Sequence, residues 1–186
     1  MNFHAVGALL KGDTCAFTVW APFRKNVEVV LRDRNARLPM SKNDAGYWTV
    51  EVRDVSAGAR YMYRLDGDKE LPDPASRAQP DGVHQASMVV SSEYPWTDDA
   101  WRGLSLGEMI IYELHVGTFT SSHDFDGVVS KLPYLRSLGV NTVELLPVAQ
   151  FPGARNWGYD GVFPFAAQHS YGGAIGLKRL DRKSVV

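Results

Sequence analysis

The sequence lacks the features that mark several large functional classes. It is 186 residues long, with 20 Lys and Arg against 21 Asp and Glu and a formal net charge of −1. Neither that balance nor any basic run interleaved with aromatics points to a nucleic-acid partner. It has a single cysteine, Cys15, which cannot close an internal disulfide. Within the strand-like run TCAFTVW it reads as a buried, inert thiol. No apolar run approaches the ~18 residues of a membrane span, and the N-terminal MNFHAVGALLKGD has no basic segment leading into a long apolar one, so no membrane partner and a cytoplasmic location are expected. Internal repeats and low-complexity tracts are absent. No cofactor is expected and no metal ligand is assigned; oligomeric state and metal requirement stay open.

What is present is the composition of an ordinary globular protein, 45% apolar and 22% charged, with two successive patterns. Residues 1–92 alternate. Short β-branched and aromatic runs at 14–20, 27–31, 47–52 and 61–65 are separated by turn chemistry at Ala21-Pro22, Asn43 to Gly46, Ala57-Gly58 and Asp66-Gly67. This spacing predicts an all-β, immunoglobulin-like sandwich. Trp20 and Trp48 read as core or edge packing, and Tyr61 and Tyr63 share a face opposite Met62. The proline-rich stretch 71–103 has little periodicity, but Trp96, Trp101 and Met88 to Val90 are too apolar for a solvated tether. It reads as an ordered connection, with 93–107 as the linker proper.

From residue 108 the pattern changes to strand, helix, strand. Residues 109–119 and 140–148 read as strands and 126–138 as a helix, together the size of one βαβ unit. Asp124 or Asp126 can cap the helix, whose apolar face is Val128, Val129, Leu132, Leu135 and Leu138. Gly139 ends it, and Pro133 implies a kink or restart. Glu113 and Glu144 lie within strands and read as structural or supporting residues, and His115 as a satisfied interior histidine. A short helix is expected to start near Ala174. The segment 150–173, QFPGARNWGYDGVFPFAAQHSYGG, reads as the loop after the second strand, and it combines aromatic rings, Asp160 and glycines. Aromatic faces suit the C–H face of a pyranose, a carboxylate suits its hydroxyls, and glycine lets backbone come close.

The runs IYELHVGTF, LPYLRSLGVNTVELLPVAQFPG and RNWGYDGVFPFAAQHSYGG, with TVWAP and DPASRAQPDGVH before them, resemble the malto-oligosyltrehalose trehalohydrolases of the alpha-amylase superfamily of glycoside hydrolases. The resemblance covers nearly the whole chain. It implies a carbohydrate-binding-module-like sandwich of the family 48 type at 1–92, then at 108–186 the truncated start of a catalytic (β/α)8 TIM barrel, comprising strand, helix, strand and loop. It also implies hydrolysis of the α-1,4-glucosidic bond of maltooligosyl trehalose, releasing trehalose, by a retaining mechanism with two carboxylates about 5 Å apart and a third assisting. The partner is then maltooligosyl trehalose or a related α-glucan. Those carboxylates match no position here, so no catalytic residue is assigned and the chain alone is expected to be inactive. Tyr159 matches the family's sugar-stacking position, and Asp160 and Trp157 beside it are further substrate-binding candidates. A glycogen branching or debranching enzyme fragment and a simple α-glucan-binding module are the alternatives.

Where the family continues beyond LKRL into more helix and a third strand, this chain reads Asp181-Arg182-Lys183-Ser184-Val185-Val186. A common sequencing-adapter sequence encodes those six residues in frame, so a truncated gene model is expected. Ile110, Ile111, Val143, Leu145 and Leu146 are then expected to lose most of their covering layer.

Overall fold

A computed structural model describes residues 5–184. The chain folds as two compact units, one reaching to Glu93 and including Phe163–Ala166, the other formed by Tyr94–Val162 and the residues from Ala167 onward.

The first unit contains β1 (Gly7–Lys11), β2 (Thr14–Trp20), β3 (Val27–Leu31), β4 (Ala36–Pro39), β5 (Ser41–Lys42), β6 (Tyr47–Val52), β7 (Arg60–Leu65), β8 (Lys69–Leu71) and β9 (Ser87–Met88). One sheet runs β1-β2-β6-β5 and the other β4-β3-β7-β8, with β9 paired to β7. A period-2 pattern drives this arrangement. Cys15, Phe17 and Val19 on β2 meet Val29, Tyr61 and Tyr63 from the other sheet in one buried cluster, and the ring of Phe17 packs edge-on against Tyr61 at 5.0 Å between centroids. Each such side chain contributes roughly 1.5–3 kcal/mol on burial.

The two tryptophans part company. Trp48 is 6% exposed and packs in the core, but Trp20 is 57% exposed. Trp20 follows inward-facing Val19, so strand alternation turns it to solvent; its indole Nε1 donates to the Ala45 carbonyl at 3.1 Å. The proline-rich stretch is held firmly from Asp73 to Val89, where Asp73, Ser76, Gln79, Ser87 and Val89 are all buried. Asp73 is the pin. Its carboxylate accepts from the Tyr61 hydroxyl at 2.6 Å and the Ala75 amide at 2.8 Å, and its own amide donates to the Ser87 hydroxyl at 3.0 Å.

The second unit contains β10 (Ile111–Leu114), α1 (Val116–Phe119), α2 (Phe125–Ser137), β11 (Thr142–Leu145) and α3 (Gly173–Ser184). β10 and β11 are parallel, with Glu113 beside Glu144 and Leu114 beside Leu145. The first strand is shorter than expected. After Leu114 the His115 carbonyl accepts from the amides of Thr118 and Phe119, both at 3.0 Å, which closes the helical turn α1 where strand was predicted.

α2 begins as the sequence indicates, with the Asp124 carboxylate accepting from the Gly127 amide at 2.8 Å, and Gly139 beyond it takes φ 88°. Yet it runs through Pro133 as one helix. Pro133 is exposed, so the carbonyl deprived of an amide partner can be hydrated there. Phe125, Val128 and Leu135 are buried, while Leu138, expected on the same face, is 57% exposed because it caps the helix end and leaves its phase. α3 starts at Gly173, close to the expected Ala174, and includes residues 181–184 of the C-terminal hexapeptide; Val185 and Val186 lie outside the described residues. No helix among the described residues is long and apolar enough to cross a membrane.

Candidate functional site

The segment expected to be one loop is more ordered than that, because Phe163–Ala167 is a strand and His169–Tyr171 a 3₁₀ turn. Its aromatics fall into two sets. Phe151, Phe163 and Tyr171 are buried, whereas Trp157, Tyr159 and Phe165 are 76, 74 and 62% exposed. The burial along Phe163–Ala167 does not alternate, with Phe163 and Ala166 buried and Pro164 and Phe165 exposed, while Trp157 and Tyr159 lie in the turn between Phe151 and that strand.

Two buried glutamines fix the base of the segment. Gln168 accepts from the Phe151 amide and donates to the Gly153 carbonyl and the Ser170 hydroxyl, each at 2.9 Å. Gln150 accepts from the His169 amide at 2.9 Å. The tip is organised by Asn156, whose side-chain oxygen accepts from the Gly158 amide at 2.7 Å and whose amide donates to the Asp160 carboxylate at 2.9 Å. Gly158 sits at φ +102°, and a Cβ there would lie 2.9 Å from the Pro147 carbonyl. Only glycine satisfies both constraints.

This turn forms one wall of a cleft of about 770 Å³, lined by Ala154 to Trp157 and Asp160 on one side and by His115, Gly117, Thr118 and His123 on the other, with Ser170 and Tyr171 also contributing. The size suits a small ligand. Trp157 and Asp160 are thus brought together on the cleft wall. Tyr159 is exposed but lies outside its lining.

His115 sits in the cleft wall rather than in a closed interior. Its Nε2 lies 2.6 Å from the Asn156 carbonyl and its Nδ1 3.3 Å from the Thr118 hydroxyl. A carbonyl oxygen only accepts, so Nε2 is the donor to Asn156. The ring also meets Trp157 edge-on at 6.3 Å. His115, Asn156, Gln168 and Tyr171 were not read from sequence as site residues. The only available signal was a polar residue within an apolar or turn context, since His115 and Asn156 are 41 positions apart. Glu113 and Glu144 are exposed neighbours on parallel strands and do not line the cleft. Among the described residues no cluster of His, Cys, Asp or Glu could hold a metal ion.

Comparison with known proteins identifies the scaffold. Residues 3–80 match carbohydrate-binding module 48, the isoamylase N-terminal domain. The chain is 45% identical over 94% of its length to malto-oligosyltrehalose trehalohydrolase of Saccharolobus solfataricus, covering 31% of that protein. It is 45% identical over 88% of its length to the enzyme of that name from Mycobacterium tuberculosis, covering 29% of it. The chain therefore spans about a third of the length of the curated relatives it matches. A 1,4-alpha-glucan branching enzyme of Xanthomonas campestris is 36% identical over 89% of the chain and 26% of its own length.

Among solved structures, a candidate alpha amylase from Salmonella typhimurium superposes with a TM-score of 0.91 at 37% identity, over 97% of this chain and 31% of that one. A Group B Streptococcus pullulanase, solved with maltotetraose, shares the fold with a TM-score of 0.81 at 22% identity, over 98% of this chain and 32% of its own. With a carbohydrate-binding module 48 match over residues 3–80 and 40–45% identity over most of its length to malto-oligosyltrehalose trehalohydrolases of several species, the chain is similar to the N-terminal part of those proteins.

Proposed function

We propose that this chain is the N-terminal part of an enzyme that hydrolyses the α-1,4-glucosidic bond of maltooligosyl trehalose to release trehalose, with retention of configuration. The observation that carries the reading is the 40–45% identity to trehalohydrolases across species and across both units of the chain. In this reading β10, α2 and β11 open a (β/α)8 barrel, and the cleft behind β11 lies where such barrels place their active sites, beyond the C-terminal ends of the strands. Trp157, Asp160 and Tyr159 bind substrate. Trp157 offers an exposed ring to a pyranose face, Asp160 accepts from sugar hydroxyls, and Tyr159 stacks on the sugar next to the scissile bond. Glu113 and Glu144 take no catalytic part, and the sandwich contributes α-glucan affinity.

The test is an assay of the full-length gene product on maltooligosyl trehalose. Trehalose released with retained anomeric configuration is the expected result. New α-1,6 branches without trehalose would instead assign the chain to a branching enzyme. In the same assay, Tyr159→Ala and Trp157→Ala are each expected to lower kcat/KM by about tenfold or more, the scale of a lost aromatic anchor, and unchanged values would remove those two residues from the site.

A further inference from the structure

Tyr171 is the residue in the cleft whose chemistry the fold does not use. It is 2% exposed and is the hub of three edge-on ring contacts, with Phe151 at 5.7 Å, Phe125 at 6.0 Å and His115 at 6.2 Å. Its hydroxyl makes no hydrogen bond to any described residue. It is nonetheless absent from the fully enclosed polar atoms that lack partners, which are the two of the Gln79 amide, and Tyr171 lines the cleft. The phenolic oxygen therefore keeps a little exposed surface at the cleft wall while the ring is locked in the core. Burial raises the phenol's pKa above 10.0, so at neutral pH the group is a neutral donor and acceptor.

Gly117 guards that oxygen. A Cβ at position 117 would lie 2.8 Å from the Tyr171 hydroxyl and 3.0 Å from Cε1 of His115. Glycine leaves the hydroxyl uncovered, where even alanine would cover it.

A buried hydroxyl without a partner costs stability unless something satisfies it. A core position of this shape would be served as well by phenylalanine, so the hydroxyl has its value toward a ligand. We infer that Tyr171 is a further binding residue of the cleft, its hydroxyl hydrogen-bonding a hydroxyl of a glucosyl unit seated against Trp157. This rests on the proposed reading of the cleft as an α-glucan site. The pairing is specific because a ring fixed by three aromatic neighbours loses little entropy on binding.

The experiment is calorimetric titration of the 186-residue chain with maltotriose, for the unaltered protein, Trp157→Ala and Tyr171→Phe, together with unfolding midpoints. Tyr171→Phe is expected to weaken maltotriose binding about three- to tenfold, the net worth of one neutral hydrogen bond, without lowering the unfolding midpoint. Gly117→Ala, if folded, is expected to weaken binding at least as much. If Trp157→Ala weakens binding while Tyr171→Phe does not, the cleft remains a glucan site and the role of Tyr171 is overturned. A lowered midpoint in Tyr171→Phe with unchanged affinity would make the hydroxyl structural, which also overturns it. If the unaltered chain does not bind maltotriose, or Trp157→Ala leaves affinity intact, the glucan-site reading falls and this inference with it.

Discussion

At the scale of single residues, the sandwich stores its chemistry around Asp73. The carboxylate is fully buried, and burial holds its pKa above the ordinary value despite the Tyr61 hydroxyl, the Ala75 amide and the nearby Arg77 charge. Replacing Tyr61 by Phe removes one good donor, and a loss of about 1–2 kcal/mol in urea unfolding is expected. Asp73→Ala should cost more, about 3 kcal/mol, because it strands the Tyr61 hydroxyl and the Ala75 amide together. A smaller loss for Asp73→Ala than for Tyr61→Phe would contradict this assignment of the pin.

A second residue-scale prediction concerns alkali. Burial pushes the Cys15 thiol from 9.0 up to about 12, and burial beside Asp73 raises Tyr61 and Tyr63 well above 10.0. Below pH 9 the thiol is protonated in both states. From 9 to 12 the unfolded chain releases the proton and the fold retains it, so stability is lost as pH rises, at up to about 1.4 kcal/mol per pH unit for one group. Cys15→Ala is expected to flatten this slope without abolishing it, since the tyrosines remain, and identical slopes would exclude Cys15. The inert thiol itself was legible in TCAFTVW. The split between buried Trp48 and exposed Trp20 was not, because a tryptophan fits either face of a strand until its register is known.

At the scale of elements, what was legible is what depends on local chemistry. Asp124 before a helix and Gly139 after it declare the ends of α2, and alternation through Cys15, Phe17 and Val19 declares β2. What was not legible lacks a signal in the local sequence: HVGTF has strand composition but closes a turn on the His115 carbonyl, and the cleft brings His115 against Asn156, 41 positions away. The α2 cap offers a direct test. Hydrogen bonds from the Ser122 hydroxyl and the Gly127 amide lower the pKa of Asp124, so its contribution is present above the usual carboxylate range and is lost as pH falls through the lowered value. Asp124→Ala is expected to cost about 1 kcal/mol at pH 7 and to show a smaller acid-side loss than the unaltered chain. Gly127→Ala should be worse, because its Cβ would fall 2.1 Å from the Thr120 hydroxyl and 2.2 Å from that of Ser122. Equal losses for the two substitutions would contradict that packing.

At the scale of the whole molecule, the two units differ in how completely they satisfy their sheets. The sandwich gathers its strands around one core. β10 and β11, by contrast, pair only with each other among the described residues, and Ile110, Ile111 and Tyr112 are 56, 50 and 38% exposed. One flank is an apolar hollow of about 440 Å³ lined by Trp96, Val143, Leu145, Leu177 and Leu180 among others. Parallel strands are normally covered on both faces and flanked by further strands, and an open apolar edge is a template for pairing with another chain. The 186-residue chain is therefore expected to associate as its concentration rises, through residues 109–148 rather than through the sandwich. Sedimentation velocity should show mass increasing from micromolar to hundreds of micromolar, and hydrogen exchange should show protection of 111–114 and 142–145 growing with it while the sandwich amides stay unchanged. Ile111→Lys, which places a charge on the exposed strand, should shift association to higher concentration without altering the sandwich. A chain that stays monomeric throughout, with β10 and β11 amides already protected when dilute, would mean that two strands and their helices are stable alone.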